Sequence, residues 1–272
     1  MATLETVGII SNDVWIDHPH GRIFARTWSN ALDPHFQKEK AAIVLFHDSL
    51  GCVDLWREFP AELCAATGRQ VVAYDRLGFG KSAPRTDKLA MDFIADEAKT
   101  FFPVVREQLG LERFIVFGHS VGGGIAVNYA AQDSSRCMAL ITESAQAFAA
   151  EETLQGIRVA KRQFEDPAQL ERLWKYHGEK AKWVLDAWTE TWLAPEFAPW
   201  SLANVLPQVN CPVLAIHGVF DEYGSTRHPE MIGRLCGGQS RVEVLEDAHH
   251  VPHKEKPEMV IAVVTEFASS VQ

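Results

Sequence analysis

The stretch FGHSVGGG, residues 117–124, decides how the rest of the chain is read. Within it, Gly118-His119-Ser120-Val121-Gly122 satisfies Gly-x-Ser-x-Gly. An apolar run, RFIVF (113–117), leads into it, and a helix-forming stretch, VGGGIAVNYAAQ (121–132), leads out. A serine at such a strand-to-helix junction sits on a strained turn. Side chains two residues to either side would collide, and glycine at 118 and 122 removes them. The helix points its first amides and the positive end of its dipole at the serine, where an oxyanion would form. Gly-x-Ser-x-Gly is short enough to arise as a glycine-rich turn around an ordinary serine. The strand before it and the helix after it select the nucleophile.

Outward from this junction, short apolar runs rich in Val, Ile and Phe recur: AAIVLFH (41–47), QVVAYD (70–75), RFIVFGH (113–119), CMALITES (137–144), PVLAIHG (212–218) and RVEVLED (241–247). Such runs suit strands buried on both faces. Helical stretches separate most of them. LWREFPAELCAATG ends at Gly68, a C-cap residue, and MDFIADEAKTFFPVVREQLG carries Pro103, which should kink it. The closing helix PEMVIAVVTEFASSV starts at Pro257. Near the N-terminus GRIFARTW alternates after a turn-like HPHG, the pattern of an antiparallel hairpin. The alternation of strand and helix predicts an α/β fold with a mostly parallel central sheet flanked by helices. Residues 145–205 break the rhythm. They read as helices and hold five of the eight tryptophans, at 174, 183, 188, 192 and 200. The expected organisation is a core of 1–144 and 206–272 with a helical cap, 145–205, inserted into it.

Composition narrows the function classes. The chain has 272 residues, 47% hydrophobic and 23% charged, ordinary for a globular protein that buries a core without staples. Its 26 basic and 36 acidic residues leave a net charge of -10 with no basic cluster, which disfavours nucleic acid and acidic membrane surfaces as partners. Five scattered cysteines with no Cys-x-x-Cys pair fit a reducing compartment. The opening MATLETVGII lacks a basic n-region, and no apolar run approaches the length of a membrane span, so a cytoplasmic location is expected.

A nucleophilic serine needs a base, and the base needs an acid to orient it. The chain order for a strand–turn–helix nucleophile is Ser, then Asp or Glu, then His. Asp221 lies in HGVFDEYG just past one apolar run, and EDAHHVPHKEKPE (246–258) lies just past the next. Loops leaving the C-terminal ends of parallel strands converge on one edge of the sheet. Glu222 and Glu143, the latter in ITES, compete with Asp221 for the acid's role. His249, His250 and His253 lie on one short loop and lack a fourth metal ligand, with no Cys or Asp cluster beside them, so no metal is expected. GFGKS (78–82) imitates the end of a phosphate-binding loop, but Asp75 stands where its first glycine belongs. No Gly-x-Gly-x-x-Gly follows the first apolar run, so no dinucleotide cofactor is indicated.

Taken in order, these stretches resemble the α/β-hydrolase fold superfamily, in its Ser-His-Asp esterase, lactonase and C–C hydrolase branch. LFHDSLGCVDLW is similar to that family's oxyanion loop, YDRLGFGKS to its Asp-x-x-Gly-x-Gly-x-Ser stretch, GHSVGG to its nucleophile elbow, HGVFDEYG to its acid turn and HHVPHKEKPE to its histidine loop. The resemblance covers nearly the whole chain. The family pattern His-x-Pro-x-x-Glu-x-Pro-Glu falls into register only from His250, through Pro252, Glu255, Pro257 and Glu258. The resemblance therefore implies Ser120 as nucleophile, His250 as base and Asp221 as acid, with the Ser49 and Val121 amides as oxyanion hole and no cofactor. One departure is His47-Asp48 where the family has His-Gly. Asp48 either caps nearby amides or places a negative charge that discourages anionic substrates. Trp188 and Trp192, one helical turn apart, and His119 are the candidate substrate-facing residues, and the expected substrate is a small molecule with an apolar acyl or aromatic group. The implied activity is hydrolysis of carboxylic esters or related carbonyl compounds. C–C cleavage of a vinylogous diketone, thioester hydrolysis and a non-catalytic small-molecule receptor are the alternatives.

Overall fold

The computed structural model describes residues 8–32 and 40–271. The first residues of the opening stretch, 1–7, lie outside the described residues, as do 33–39 and 272. Eight strands form one sheet: β1 (Ile9–Ile16), β2 (Ile23–Asn30), β3 (Ala42–Phe46), β4 (Val71–Tyr74), β5 (Phe114–His119), β6 (Cys137–Glu143), β7 (Val213–Gly218) and β8 (Ser240–Leu245). Their spatial order is β1-β2-β4-β3-β5-β6-β7-β8. β1 pairs antiparallel with β2, and β2 with β4; every other pairing is parallel. The N-terminal hairpin and the six apolar runs are thus the strands of a mostly parallel sheet.

Each central strand divides its side chains between two buried layers. Val44, Val72, Val116, Leu140 and Ala215 join the core on one face. Their neighbours Ile43, Val71, Ile115, Ala139 and Leu214 join the core on the other. A period of two with both faces apolar is what a sheet covered by helices on both sides requires.

The covering helices are α1 (Phe59–Thr67), α2 (Phe93–Asp96), α3 (Phe102–Gln108), α4 (Val121–Gln132), α5 (Glu151–Gln163), α6 (Pro167–His177), α7 (Ala181–Trp192), α8 (Arg227–Leu235), α9 (Pro252–Glu255) and α10 (Pro257–Ser269). The helix expected across Pro103 is divided. A π-helical turn, Glu97–Phe101, separates α2 from α3. Pro103 lacks an N–H and crowds the carbonyl four residues back, so the turn before it widens. The helices α5, α6 and α7 lie between β6 and β7, which are adjacent in the sheet. No helix of the described residues is long and apolar enough to cross a membrane.

Candidate active site

Ser120 follows β5 directly and sits at φ 55, ψ −123, at the head of α4. Positive φ costs a non-glycine residue free energy, so the surroundings must hold it there. They do. The Ser120 amide donates to the Glu143 carbonyl at 2.8 Å, and its carbonyl accepts from the Gly123 amide at 2.9 Å. A Cβ at Gly118 would stand 2.1 Å from the Gly122 carbonyl oxygen, and one at Gly122 would stand 2.1 Å from that of Phe46. The two glycines let the turn close on itself and let α4 begin against the end of β3. Val121 sends its side chain into the core, so only its amide can serve an oxyanion.

The loop after β3 is fixed from below. The His47 Nδ1–H donates to the Asp48 carbonyl at 2.8 Å, while its Nε2 accepts the Arg76 amide at 3.1 Å. Burial, aided by the Arg76 charge, pushes His47 well below its ordinary value and keeps it neutral for both bonds. The Arg76 guanidinium also donates to the Asp48 carbonyl, at 2.8 Å. From α6, the His177 Nε2–H donates to the Leu50 carbonyl at 3.0 Å and its Nδ1 accepts the Gly80 amide at 2.9 Å. One neutral imidazole, pushed down to about 4 by burial, therefore ties the inserted helices to this loop. Asp75 braces the other end, accepting from the Val53 and Lys81 amides at 2.6 Å each. That is the work of the YDRLGFGKS stretch.

Asp221 follows β7, and His250 follows β8. The imidazole Nδ1 lies 2.8 and 2.9 Å from the two carboxylate oxygens of Asp221. Both residues are nearly buried, at 9% and 8% exposure. Burial alone would lower the proton affinity of His250, but the Asp221 bond and charge, with smaller help from Asp48 and Glu222, raise it above the ordinary histidine value. Burial opposes ionisation of Asp221 too, yet the bond and charge of His250, with His217 and the Tyr223 amide, hold it below the usual carboxylate value. His217 Nε2 lies 3.4 Å from Asp221 Oδ2, so the acid sits between two imidazoles.

The three neighbouring histidines of the last loop have three different fates. His250 faces a cavity. His249 faces solvent, its Nδ1 3.2 Å from Glu255 Oε2. His253 is buried, its Nδ1 2.5 Å from Glu143 Oε2. Glu255 explains the spacing of the motif: its carboxylate accepts from the amides of His249 at 2.7 Å and Val251 at 3.0 Å, gripping the backbone on either side of His250.

Ser120, His250 and Ser49 line one cavity of about 240 Å³, and Trp188 and Trp192 from α7 form part of its wall. The Ser120 hydroxyl donates to Gln146 Oε1 at 3.4 Å. Of the substrate-facing expectations, both tryptophans reach the cavity, although Trp192 is 2% exposed and packs on Phe197 and Trp200. His119 does not line it. Its ring lies behind His250, donating from Nε2 to the His250 carbonyl at 2.8 Å. Residues around a strand alternate sides, and one step from Ser120 carries the side chain to the rear. His119, Glu143 and His253 bring three possible metal-ligating atoms within 4.8 Å of one another, but the His119 Nε2 is already the donor to His250. Asp48, Gln146, Glu222 and Tyr223 also stand on the cavity wall. No motif marks Gln146 or Tyr223. Their only signal in the sequence is position, shortly after the ends of β6 and β7.

Comparison with known proteins bears on the fold and the family. The family model described as alpha/beta hydrolase fold matches residues 41–257. A 1-acylglycerol-3-phosphate O-acyltransferase of Sus scrofa is 36% identical over 121 residues, 43% of this chain and 32% of that protein. A (lyso)-N-acylphosphatidylethanolamine lipase of Bos taurus is 30% identical over 116 residues, 43% of this chain and 33% of that protein. The matched stretch thus spans about a third of the length of these relatives. The solved 2-hydroxy-6-oxo-6-phenylhexa-2,4-dienoate hydrolase of Rhodococcus sp. strain RHA1 superposes with a TM-score of 0.77 over 95% of this chain and 98% of its own, at 14% identity. At that identity the likeness is one of fold.

Proposed function

The chain belongs to the α/β-hydrolase fold family, and from that premise we propose that it is a serine hydrolase of carboxylic esters or related carbonyl compounds. The observation that carries the reading is a His250 imidazole bonded to the buried Asp221 at 2.8 Å and lining the same cavity as a serine held at φ 55. In this mechanism the Ser120 Oγ attacks the substrate carbonyl carbon as His250 Nε2 takes the hydroxyl proton. Asp221 holds the imidazole tautomer through Nδ1 and stabilises the imidazolium. The carbonyl oxygen becomes an oxyanion, for which the Ser49 and Val121 amides are the nearest candidates by chain position. Collapse of the tetrahedral intermediate breaks the bond to the leaving group, which departs with the proton from His250. Water, deprotonated by the same imidazole, then releases the acyl group from Ser120. The bovine relative is a lipase, an activity of this chemical class.

The test is covalent labelling. A fluorophosphonate should modify the chain at a single serine, and mass spectrometry of the digest should place the adduct on Ser120. Ser120→Ala should fold with unchanged circular dichroism, lose the label and lose hydrolysis of a panel of esters by at least about 10³-fold. Undiminished hydrolysis in that variant removes the serine mechanism.

A further inference from the structure

The charges on the cavity wall have one sign only. Two carboxylates, Asp48 and Glu222, stand on it, and among the described residues that line it there is no lysine or arginine. The rest of the wall is rich in aromatic surface. Trp188 and Tyr223 meet edge to face at 5.8 Å between ring centroids, and Tyr223 meets the His250 ring at 4.8 Å. Asp48 is not neutralised by a close ion pair. Its Oδ1 is buried without a hydrogen-bond partner, and its Oδ2 lies 3.8 Å from the Nδ1 of His119, an imidazole that burial and its histidine neighbours keep neutral.

The cations nearby are committed elsewhere. Arg76 lies behind the loop, bonded to the Asp48 carbonyl and placed over the Phe79 ring at 4.1 Å. Lys180 donates to the carbonyls of Phe79, Gly80 and Ser82. Lys254 shares a small pocket of about 10 Å³ with Asp48, His119 and His253 and does not line the main cavity. The charges that reach the base are negative: both Asp48 and Glu222 add to the proton affinity of His250.

We propose that the substrate of this site carries a positive charge, as a protonated amine or quaternary ammonium group, seated among Trp188, Tyr223 and Glu222. The proposal rests on the serine-hydrolase reading and narrows it to ammonium-bearing acyl compounds. Aromatic faces attract a cation through their quadrupole without demanding hydrogen bonds from it. The carboxylates supply the opposite charge, Asp48 from a half-buried position and Glu222 from an exposed one. A carboxylate-bearing substrate would instead lose hydration beside two like charges, with no cationic side chain on the wall to receive it.

Three matched methylphosphonothiolates test this. Their thiol leaving groups end in trimethylammonium, tert-butyl or carboxylate, and the reaction is otherwise the same: the Ser120 Oγ bonds to phosphorus, the P–S bond breaks and the thiolate departs. The readout is the second-order inactivation constant at low ionic strength, divided by each probe's own rate with hydroxide. The ammonium probe should be fastest and the carboxylate probe slowest, with about tenfold or more between them. Added salt should compress that ratio. Glu222→Gln and Asp48→Asn should each narrow it; the ratio is the readout because both residues stand on the cavity wall. A carboxylate probe as fast as the ammonium probe, or a ratio untouched in both variants, overturns the proposal and leaves the serine mechanism standing. Inactivation by none of the three overturns the serine mechanism and this proposal together.

Discussion

Two carboxylate–histidine pairs lie back to back in this protein, and only one of them reaches the cavity that Ser120 lines. His250, backed by Asp221, lines the cavity together with Ser120, Trp188 and Trp192. Glu143 and His253 lie behind them, at 0% and 3% exposure, with His253 against Trp56 at 4.6 Å and Phe59 at 5.3 Å. The carboxylates come from the ends of adjacent strands, β6 and β7, and the histidines from one loop. Chemically the pairs are near equivalents. The rear imidazole borders only a pocket of about 10 Å³, too small to take a substrate. What it does reach is the frame of the front pair. The Glu143 carbonyl accepts the Ser120 amide, and His119, 3.9 Å from the Glu143 carboxylate, donates to the carbonyl of His250. A hydrogen-bonded histidine and carboxylate therefore mark a site only where the imidazole also meets a nucleophile and a space.

The largest expected effect separates the two histidines. His250→Ala should lower kcat on a good ester by roughly 10⁶-fold, the scale on which a serine triad loses its base. His253→Ala should leave most of the turnover and lower the thermal midpoint instead, because it opens a cavity among aromatic rings and strands the buried Glu143 carboxylate. Because His253→Ala could also destabilise the loop, His253→Gln is the companion variant, and its kcat should stay within about tenfold of the parent. Equal losses of kcat in folded His250→Ala and His253→Gln would erase the distinction between front and rear.

The acids should divide in the same way, over a smaller range. Asp221→Asn keeps the shape but not the charge or the enforced tautomer, and kcat should drop by about 10⁴-fold. Glu143→Gln should cost less than about tenfold in kcat and should show mainly as a lowered melting temperature. If Glu143→Gln is the crippling change and Asp221→Asn is mild, the acid of the proposed mechanism sits on β6.

A pH profile sharpens the comparison without depending on the size of a rate. The base acts as neutral imidazole. Asp221 raises the proton affinity of His250, so the imidazole stays protonated to higher pH. The acid limb of kcat/KM should therefore turn over above the ordinary histidine value of about 6.5. In Asp221→Asn the raising bond and charge are gone and burial remains, so the residual activity should turn over at lower pH than in the parent. Glu143→Gln should leave the limb where it was. A limb that moves with Glu143 and not with Asp221 would reverse the assignment of front and rear.

The order of elements was legible because both of its signals are periodic. Six apolar runs became six parallel strands; in β3 to β7 burial on both faces leaves almost no polar position to confuse the pattern, while β8, at the sheet edge, alternates polar and apolar residues. The elbow was legible because its steric demand fixes Gly118 and Gly122. The register of the histidine loop was legible through Glu255, whose grip on two amides requires that spacing. Depth was not. Nothing in ITES or HHVPHKE says that Glu143 and His253 turn inward together, because a buried carboxylate and a solvated one are the same letter. The misplacement of His119 has the same origin: it neighbours the serine in sequence, yet strand geometry sends it to the opposite side. Gln146, Glu222 and Tyr223 reach the cavity from loops, where position follows from packing and no repeat announces it.

The smallest expected effect completes the series of three histidines. His249 precedes the base directly, and a reading by proximity would give it a share in catalysis. Its side chain is 61% exposed, and its one polar contact is to Glu255 at 3.2 Å. That carboxylate has more work elsewhere, because it holds the His249 and Val251 amides, and both bonds are made by backbone. Removing the imidazole leaves them in place. His249→Ala should therefore change kcat/KM by no more than about twofold and stability by less than about 0.5 kcal/mol, the range of an ordinary surface substitution. Glu255→Ala is the informative contrast. It frees two amides on either side of His250, so the imidazole should lose its alignment with Asp221. The loss should fall on kcat before KM, and Glu255→Gln, which keeps an oxygen acceptor, should recover part of it. Should His249→Ala prove as damaging as Glu255→Ala, the loop is held by the side chain of His249, and the backbone account of the motif is wrong.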